Sequence, residues 1–151
     1  MNEILTQLKP EKIVYYFGEI LKIPRPSKKE EKIRAYLVQF GKEQNLETIV
    51  DNTGNVLIRK PATAGMENHK GVILQSHMDM VCEKNRDSKH NFDTDPIEVH
   101  IEDGWLKAKD TTLGADNGIG VAAELAVLSS NDLVHGPLEC LFTVNEETGL
   151  T

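Results

Sequence analysis

Two apolar segments of this sequence end in side chains that commonly bind metal ions. The first segment leads into His77 and Asp79, and the second leads into the adjacent Glu146 and Glu147. A further acidic residue, Asp116, lies in a glycine-rich run. Adjacent carboxylates at the tip of a buried strand are unfavourable unless a cation holds them. Together these residues predict a site for divalent metal ions.

The spacing of His77 and Asp79 suits one metal ligand and one orienting group. If the strand stays extended beyond Ser76, both side chains leave the same face because they are two residues apart. A ligating imidazole usually has its second ring nitrogen held by a carboxylate or a carbonyl. A buried histidine paired with an aspartate for local hydrogen bonding is the simpler interpretation of His-x-Asp alone.

The position of Asp116 allows a cap or a metal ligand. It precedes a helix expected over residues 118–128, where an aspartate ordinarily binds free helix amides. Glycines on both sides instead favour a close approach of the backbone to a ligand. A carboxylate there can offer one oxygen to each of two cations about 3.5 to 4 Å apart.

Glu146 and Glu147 can divide the work of ligand and base between them. In a near-extended segment adjacent side chains point in different directions, so one can bind a metal while the other accepts protons from water. An exposed Glu-Glu turn without function is the ordinary alternative.

Composition limits the class of protein. The 151 residues match one domain, and a formal net charge of -7 without a basic stripe argues against nucleic-acid binding. No charged-then-apolar leader and no apolar run of roughly 18 to 20 residues is seen, so a cytoplasmic protein outside the membrane is expected. Cys82 and Cys140 are too few for a disulfide framework, and we interpret them as structural thiols.

Periodicity predicts an α/β fold in which a sheet is covered on both faces. One amphipathic helix begins near residues 9–11 and stops at Pro24, and a second follows the capping-box pattern of residues 27–30 and ends near Asn45. A third covers residues 118–128. Strands are predicted at residues 47–50, 56–59, 71–76, 97–101, 105–108 and 138–144.

Several motifs resemble the M20 metallopeptidases and, within them, the aminoacyl-histidine (Xaa-His) dipeptidases. They are LQSHMDMV at residues 74–81, TTLGADNGIG at 111–120, VHGPLE at 134–139, EETG at 146–149, IPRPS at 23–27 and DNTGNV at 51–56. The similarity runs over essentially the whole chain. The resemblance implies a zinc-peptidase-like catalytic domain with a mixed sheet flanked by helices.

By this resemblance, two divalent metal ions, zinc or else cobalt or manganese, are cofactors. His77 would bind one, Glu147 would bind the other, and Asp116 would bridge both. Asp79 would steer His77, and Glu146 would be the general base. The peptide bond between Asp116 and the asparagine that follows it would be cis.

The resemblance also implies that residues 1–151 form a partial catalytic domain. The family supplies a further ligand to each metal downstream and carries an inserted lid or dimerisation domain, so this chain alone is expected to be inactive and its full-length relatives to be homodimers. The expected substrates are dipeptides of the Xaa-His type. Alternatives are another M20 amide hydrolase, such as a tripeptidase or an N-acyl amino acid deacylase, and a silent metal-binding or interaction fragment.

Overall fold

The computed structural model describes residues 4–149. Three α-helices lie in this part of the chain: α1 (Glu11–Ile20), α2 (Glu31–Glu43) and α3 (Ala115–Leu128). The strands are β1 (Glu47–Val50), β2 (Val56–Lys60), β3 (Val72–His77), β4 (Val99–Glu102), β5 (Trp105–Ala108) and β6 (Leu138–Thr143). Short 3₁₀ turns cover Leu5–Gln7 and Glu146–Thr148. No helix among these residues is long and apolar enough to cross a membrane.

A four-stranded mixed sheet in the order β1-β2-β6-β3 forms the centre of the fold. The pairs β1/β2 and β2/β6 are antiparallel, whereas β3 and β6 run parallel, with His77 beside Thr143. Strands β4 and β5 form a separate hairpin. Because β3 and β6 are parallel neighbours, the segments that follow them leave the sheet at the same edge.

The inner strands β2 and β6 bury one face of the sheet against the helices. Val56, Ile58, Cys140 and Phe142 on this face are inaccessible to solvent and belong to a single core with residues of α1, α2 and α3. The opposite face carries Arg59, which forms ion pairs with glutamates of β1 and β6. The cover expected on both faces is therefore found on one face of the described part of the chain.

Strand β3 is less buried than its apolar sequence predicts. Val72 is 50% exposed and Ile73 is 63% exposed, while Ser76 and His77 are buried. The reason is topological, since β3 pairs with β6 alone and is an edge strand of the described sheet. Only its C-terminal end lies under other elements.

The predicted capping box at residues 27–30 is wrong. Helix α2 begins at Glu31 without a side-chain cap. The Ser27 hydroxyl instead donates to Asp79 Oδ2 (2.6 Å), and Glu30 Oε1 accepts the amide N–H of Asn145 (3.0 Å). Both side chains thus bind segments that follow strands of the sheet, because buried acceptors and donors there outcompete a local cap.

The remaining element predictions are confirmed within a few residues, the largest shifts being the end of α1 at Ile20, ahead of Pro24, and the start of α3 at Ala115. Cys82 and Cys140 are free thiols. Burial raises the pKa of Cys140 to about 12. This cysteine therefore behaves as a small core residue, as the sequence interpretation expects.

Candidate metal centre

His77 lies at the buried inner end of the candidate site. It is the last residue of β3 and is 5% exposed. Its Nδ1 lies 3.1 Å from the carbonyl oxygen of Asp79 and 3.3 Å from Asp79 Oδ1. Its Nε2 lies 3.0 Å from Asp116 Oδ1. In this arrangement Nε2 is directed at the acidic side chains, and Asp79 contacts Nδ1 on the other side of the ring.

Asp79 links the segments after β3 and β6. Its carboxylate is inaccessible to solvent and accepts the amide N–H groups of Glu146 and Glu147 (3.1 Å each) as well as the Ser27 hydroxyl. Burial alone would raise the pKa of Asp79, but these hydrogen bonds outweigh it and hold the pKa below its ordinary value. Asp79 is therefore an ionised partner for the His77 ring.

Asp116 lies in an irregular turn at the start of α3. Gly114 has φ 73°, Asp116 and Asn117 have non-helical backbone angles, and the peptide bond between them is cis, as the resemblance implies. The free amide of Gly120 is bound by Asn117 Oδ1 (3.1 Å). Asn117 thus takes the capping role considered for Asp116, whose side chain is 85% exposed and faces His77.

Glu146 and Glu147 lie in a 3₁₀ turn, so the near-extended conformation expected for them is wrong. The left-handed conformation of Asn145 (φ 59°) directs the chain into this turn. The turn places both amides on Asp79 and leaves both carboxylates free to face the site. Glu146 Oε2 lies 3.8 Å from His77 Nε2.

The three predicted metal ligands converge. One nitrogen of His77 and one carboxylate oxygen each from Asp116 and Glu147 lie within 4.8 Å of one another, and no other such group was found among residues 4–149. Bonds of about 2.0 to 2.2 Å place two ligands of one ion about 3 to 4 Å apart, so small side-chain movements suffice. Imidazole and carboxylate donors suit zinc, cobalt and manganese to different degrees.

Two residues near the site carry no sequence pattern that predicts a role in it. Ser27 hydrogen-bonds the carboxylate of Asp79, and Arg25 is buried beside it with its guanidinium on three backbone carbonyls. The only sequence signal is the placement of Arg25 between two prolines in a motif shared with the dipeptidases. A single arginine in such a motif does not reveal which carbonyls it will meet.

No protein-family model matches the chain. The cytosol non-specific dipeptidase of Escherichia coli is 53% identical over 146 residues, which are 97% of this chain and 30% of the relative. The crystal structure of aminoacylhistidine dipeptidase from Vibrio alginolyticus superposes with a TM-score of 0.96 at 51% identity, covering 99% of this chain and 31% of that one. Aminopeptidase PepT from Bacillus cereus superposes with a TM-score of 0.73 at 26% identity, covering 92% and 37%.

These comparisons confirm the resemblance to dipeptidases that the motifs predict. The chain is a close homologue of two dipeptidases and shares their mixed α/β architecture. It spans about 30% of the length of either relative.

Proposed function

We propose that this chain carries part of the catalytic centre of an M20-type metallo-dipeptidase, a hydrolase that cleaves the peptide bond of dipeptides. The observation that carries the proposal is the convergence of His77, Asp116 and Glu147 from three separate segments. The homology to two dipeptidases supports it. We further propose that residues 1–151 are a portion of a larger catalytic domain, since the chain matches 30% of the E. coli relative.

The proposed cofactors are two divalent ions, zinc or else cobalt or manganese. His77 Nε2 would hold one, Glu147 would hold the other, and the exposed carboxylate of Asp116 would bridge them. Asp79 would accept a hydrogen bond from His77 Nδ1–H, which fixes the tautomer that leaves Nε2 for the metal. When bound, such ions lower the pKa of water and stabilise negative charge on the peptide carbonyl oxygen.

Glu146 is the proposed general base. Its side chain is 48% exposed and its Oε2 lies 3.8 Å from His77 Nε2, so it borders the site while its own amide is anchored to Asp79. In the proposed reaction its carboxylate accepts a proton from the attacking water and delivers it to the amine nitrogen of the leaving amino acid. One residue thus serves both proton transfers.

The proposed substrates are dipeptides with a free N-terminus. The name of the Vibrio relative supports Xaa-His dipeptides, and the name of the E. coli relative supports a wider range. The E. coli relative is a cytosol dipeptidase, which also supports the proposed cytoplasmic location. A homodimer is proposed from the family resemblance alone. Aminopeptidase activity on other peptides is the second candidate, because the Bacillus cereus aminopeptidase shares the fold at 26% identity.

The ligand and base roles can be separated by exchanging single residues. In the chain itself, His77→Ala should weaken Co²⁺ binding at least tenfold, whereas Glu146→Gln should bind Co²⁺ as the unaltered chain does, because only the first change removes a ligand. Calorimetric titration and the visible absorption of Co²⁺ measure both. Equal losses for the two variants would contradict the separation of base from ligand.

Activity is tested in a chimera in which this chain replaces the matching segment of the E. coli dipeptidase. There Glu146→Gln should lower kcat on β-alanyl-histidine and ordinary dipeptides at least 100-fold with metal content retained. The 151-residue chain alone is predicted to bind metal without turnover. A chimera that binds metal yet stays inactive with Glu146 present would support the silent alternative.

A further inference from the structure

Arg25 is a buried cation on the inner side of the candidate site. It is 2% exposed. Its Nη1 donates hydrogen bonds to the carbonyl oxygens of Met78 and Asp79, both at 3.0 Å, and its Nη2 donates to the carbonyl oxygen of Gly114. A single planar group therefore joins the end of β3 to the turn that carries Asp116.

The backbone of Arg25 is bound to the same segment. Its carbonyl oxygen accepts the N–H of Met80 (3.1 Å), and Pro26 pairs with Met80 in an isolated parallel bridge. Pro24 and Pro26 restrict the backbone on both sides of Arg25. The arginine is thus held in place before its side chain reaches across to Gly114.

The glycines of the Asp116 run leave room for this guanidinium. A Cβ on Gly114 would lie 2.6 Å from Nη2 of Arg25, and a Cβ on Gly118 would lie 2.8 Å from the same atom. Both distances are too short for any other residue without displacement of the side chain. The sequence pattern predicts that these glycines allow a ligand to approach the backbone, whereas in the structure they make room for Arg25.

The guanidinium also carries charge into the site. Burial lowers the pKa of Arg25 to about 10, which still leaves it charged at neutral pH. Its hydrogen-bond acceptors named above are neutral carbonyls, whereas the negative charges of Asp79 and Glu147 raise the pKa of Arg25 against the larger effect of burial. A lysine at this position would present a point charge and could not span carbonyls in two segments with the same planar geometry.

We propose that Arg25 is a positioning residue that fixes the Gly114–Asp116 turn against the end of β3 and thereby sets the spacing between His77 and Asp116. The role of that spacing in metal binding rests on the proposed function. The position of the turn itself does not.

The glycines supply a matched pair for the test. Gly114→Ala and Gly104→Ala both place a side chain at positive φ (73° and 80°), but a Cβ at Gly104 meets nothing within 4 Å, whereas at Gly114 it displaces Arg25 and crowds Met80. Arg25→Met and Arg25→Lys are made alongside. For each variant of the chain, Co²⁺ affinity is measured by titration and amide hydrogen exchange by mass spectrometry.

Arg25→Met and Gly114→Ala are expected to weaken Co²⁺ binding 10- to 100-fold and to speed exchange in residues 78–80 and 114–118. Gly104→Ala should leave both quantities at wild-type values, and Arg25→Lys should recover part of the affinity. Wild-type affinity and exchange in Arg25→Met, with only the unfolding midpoint lowered, would overturn the proposal. If Arg25→Met does not fold, indistinguishable Gly114→Ala and Gly104→Ala variants would overturn it.

Failure of the proposed function gives a different result. In that case the wild-type chain binds no Co²⁺, and the exchange measurements still decide the role of Arg25. Faster exchange in residues 114–118 of Gly114→Ala, with no such change in Gly104→Ala, supports the positioning role without any metal. Unchanged exchange in both refutes it.

Discussion

Asp79 and Glu124 are two buried carboxyl groups on opposite sides of the end of β3, and they are stabilised in opposite protonation states. Asp79 is inaccessible to solvent and accepts hydrogen bonds from one hydroxyl and two amides. Glu124, on α3, is 4% exposed, and its Oε2 has no hydrogen-bond partner in the described structure. The pKa of Asp79 lies below its ordinary value, while burial raises the pKa of Glu124 to about 8.

The difference shows that the supply of donors, rather than burial itself, decides which carboxyl group is charged. Side chains alternate along β3, so His77 faces the donor-rich site and Ser76 faces the core beside Glu124. The charged aspartate can orient the imidazole of His77. The neutral glutamate leaves the core behind the site without a second negative charge.

The largest expected effect is a pH dependence caused by Glu124. The folded state keeps the Glu124 proton up to about pH 8, while the unfolded chain releases it near pH 4.5, so the free energy of unfolding should fall between these values. The full loss is on the order of 5 kcal/mol above pH 8. Glu124→Gln should remove this slope. Urea unfolding from pH 5 to 8.5 measures it.

The matched control for Glu124 is the exposed Glu31, at which glutamine should leave the slope as in wild type. Cys140, the neighbouring titratable group, ionises only in the unfolded chain, near pH 9, because burial raises its pKa to about 12 in the fold. This contribution is confined to the top of the pH range and is the same in wild type and Glu124→Gln. Parallel curves for wild type and Glu124→Gln over the whole range would show that Glu124 is ionised in the fold, and the contrast with Asp79 would disappear.

The next largest effect is expected at the ionised partner. Asp79→Asn replaces a carboxylate by an amide whose NH₂ group must face one or more of the donors, and it removes the charge that these donors stabilise. We expect a loss of about 3 kcal/mol in the free energy of unfolding at pH 7. Ser27→Ala, which removes one donor only, should lose about 1 kcal/mol. The free energies of unfolding in urea decide this. A value for Asp79→Asn within about 0.5 kcal/mol of wild type, the size of an ordinary surface substitution, would contradict the contrast between Asp79 and Glu124.

Much of the fold could be predicted from the sequence because its signals are local. Apolar periodicity located α1, α2 and the strands, and the turn sequence at residues 51–55 predicted the β1/β2 hairpin. The errors concern long-range contacts. The sequence of residues 27–30 matches a capping box, but the Ser27 hydroxyl donates a hydrogen bond to the carboxylate of Asp79, 52 positions away. Edge placement exposes Val72, which the apolar strand pattern does not reveal.

The candidate site divides in the same way. The convergence of His77, Asp116 and Glu147 could be predicted because histidine, aspartate and glutamate side chains are themselves metal ligands, and each follows or precedes a separate apolar segment. Arg25 could not be assigned, because its acceptors are backbone carbonyls, which every residue possesses. The burial of Glu124 does have a sequence signal, since a single acidic residue within an alanine-rich apolar helix is expected to be buried.

The smallest effect is expected at Ser76, the residue between the two carboxyl environments. Its hydroxyl is fully buried and has no hydrogen bond of regular geometry, yet it lies near enough to Glu124 to lower the pKa of that glutamate against the larger effect of burial. Ser76→Ala should therefore raise the pKa of Glu124 further. At pH 6, where Glu124 is protonated in both proteins, the free energy of unfolding should change by less than about 1 kcal/mol, since an unpaired buried hydroxyl contributes little. At pH 8.5 the variant should lose an additional few tenths of a kcal/mol, because the ionised glutamate has lost its nearest hydroxyl.

Combining Ser76→Ala with Glu124→Gln provides the control: the pH-dependent part should vanish in the double variant, since the interaction needs both groups. A pH-dependent loss that persists without Glu124 would show that Ser76 acts on the His77 side of the strand instead.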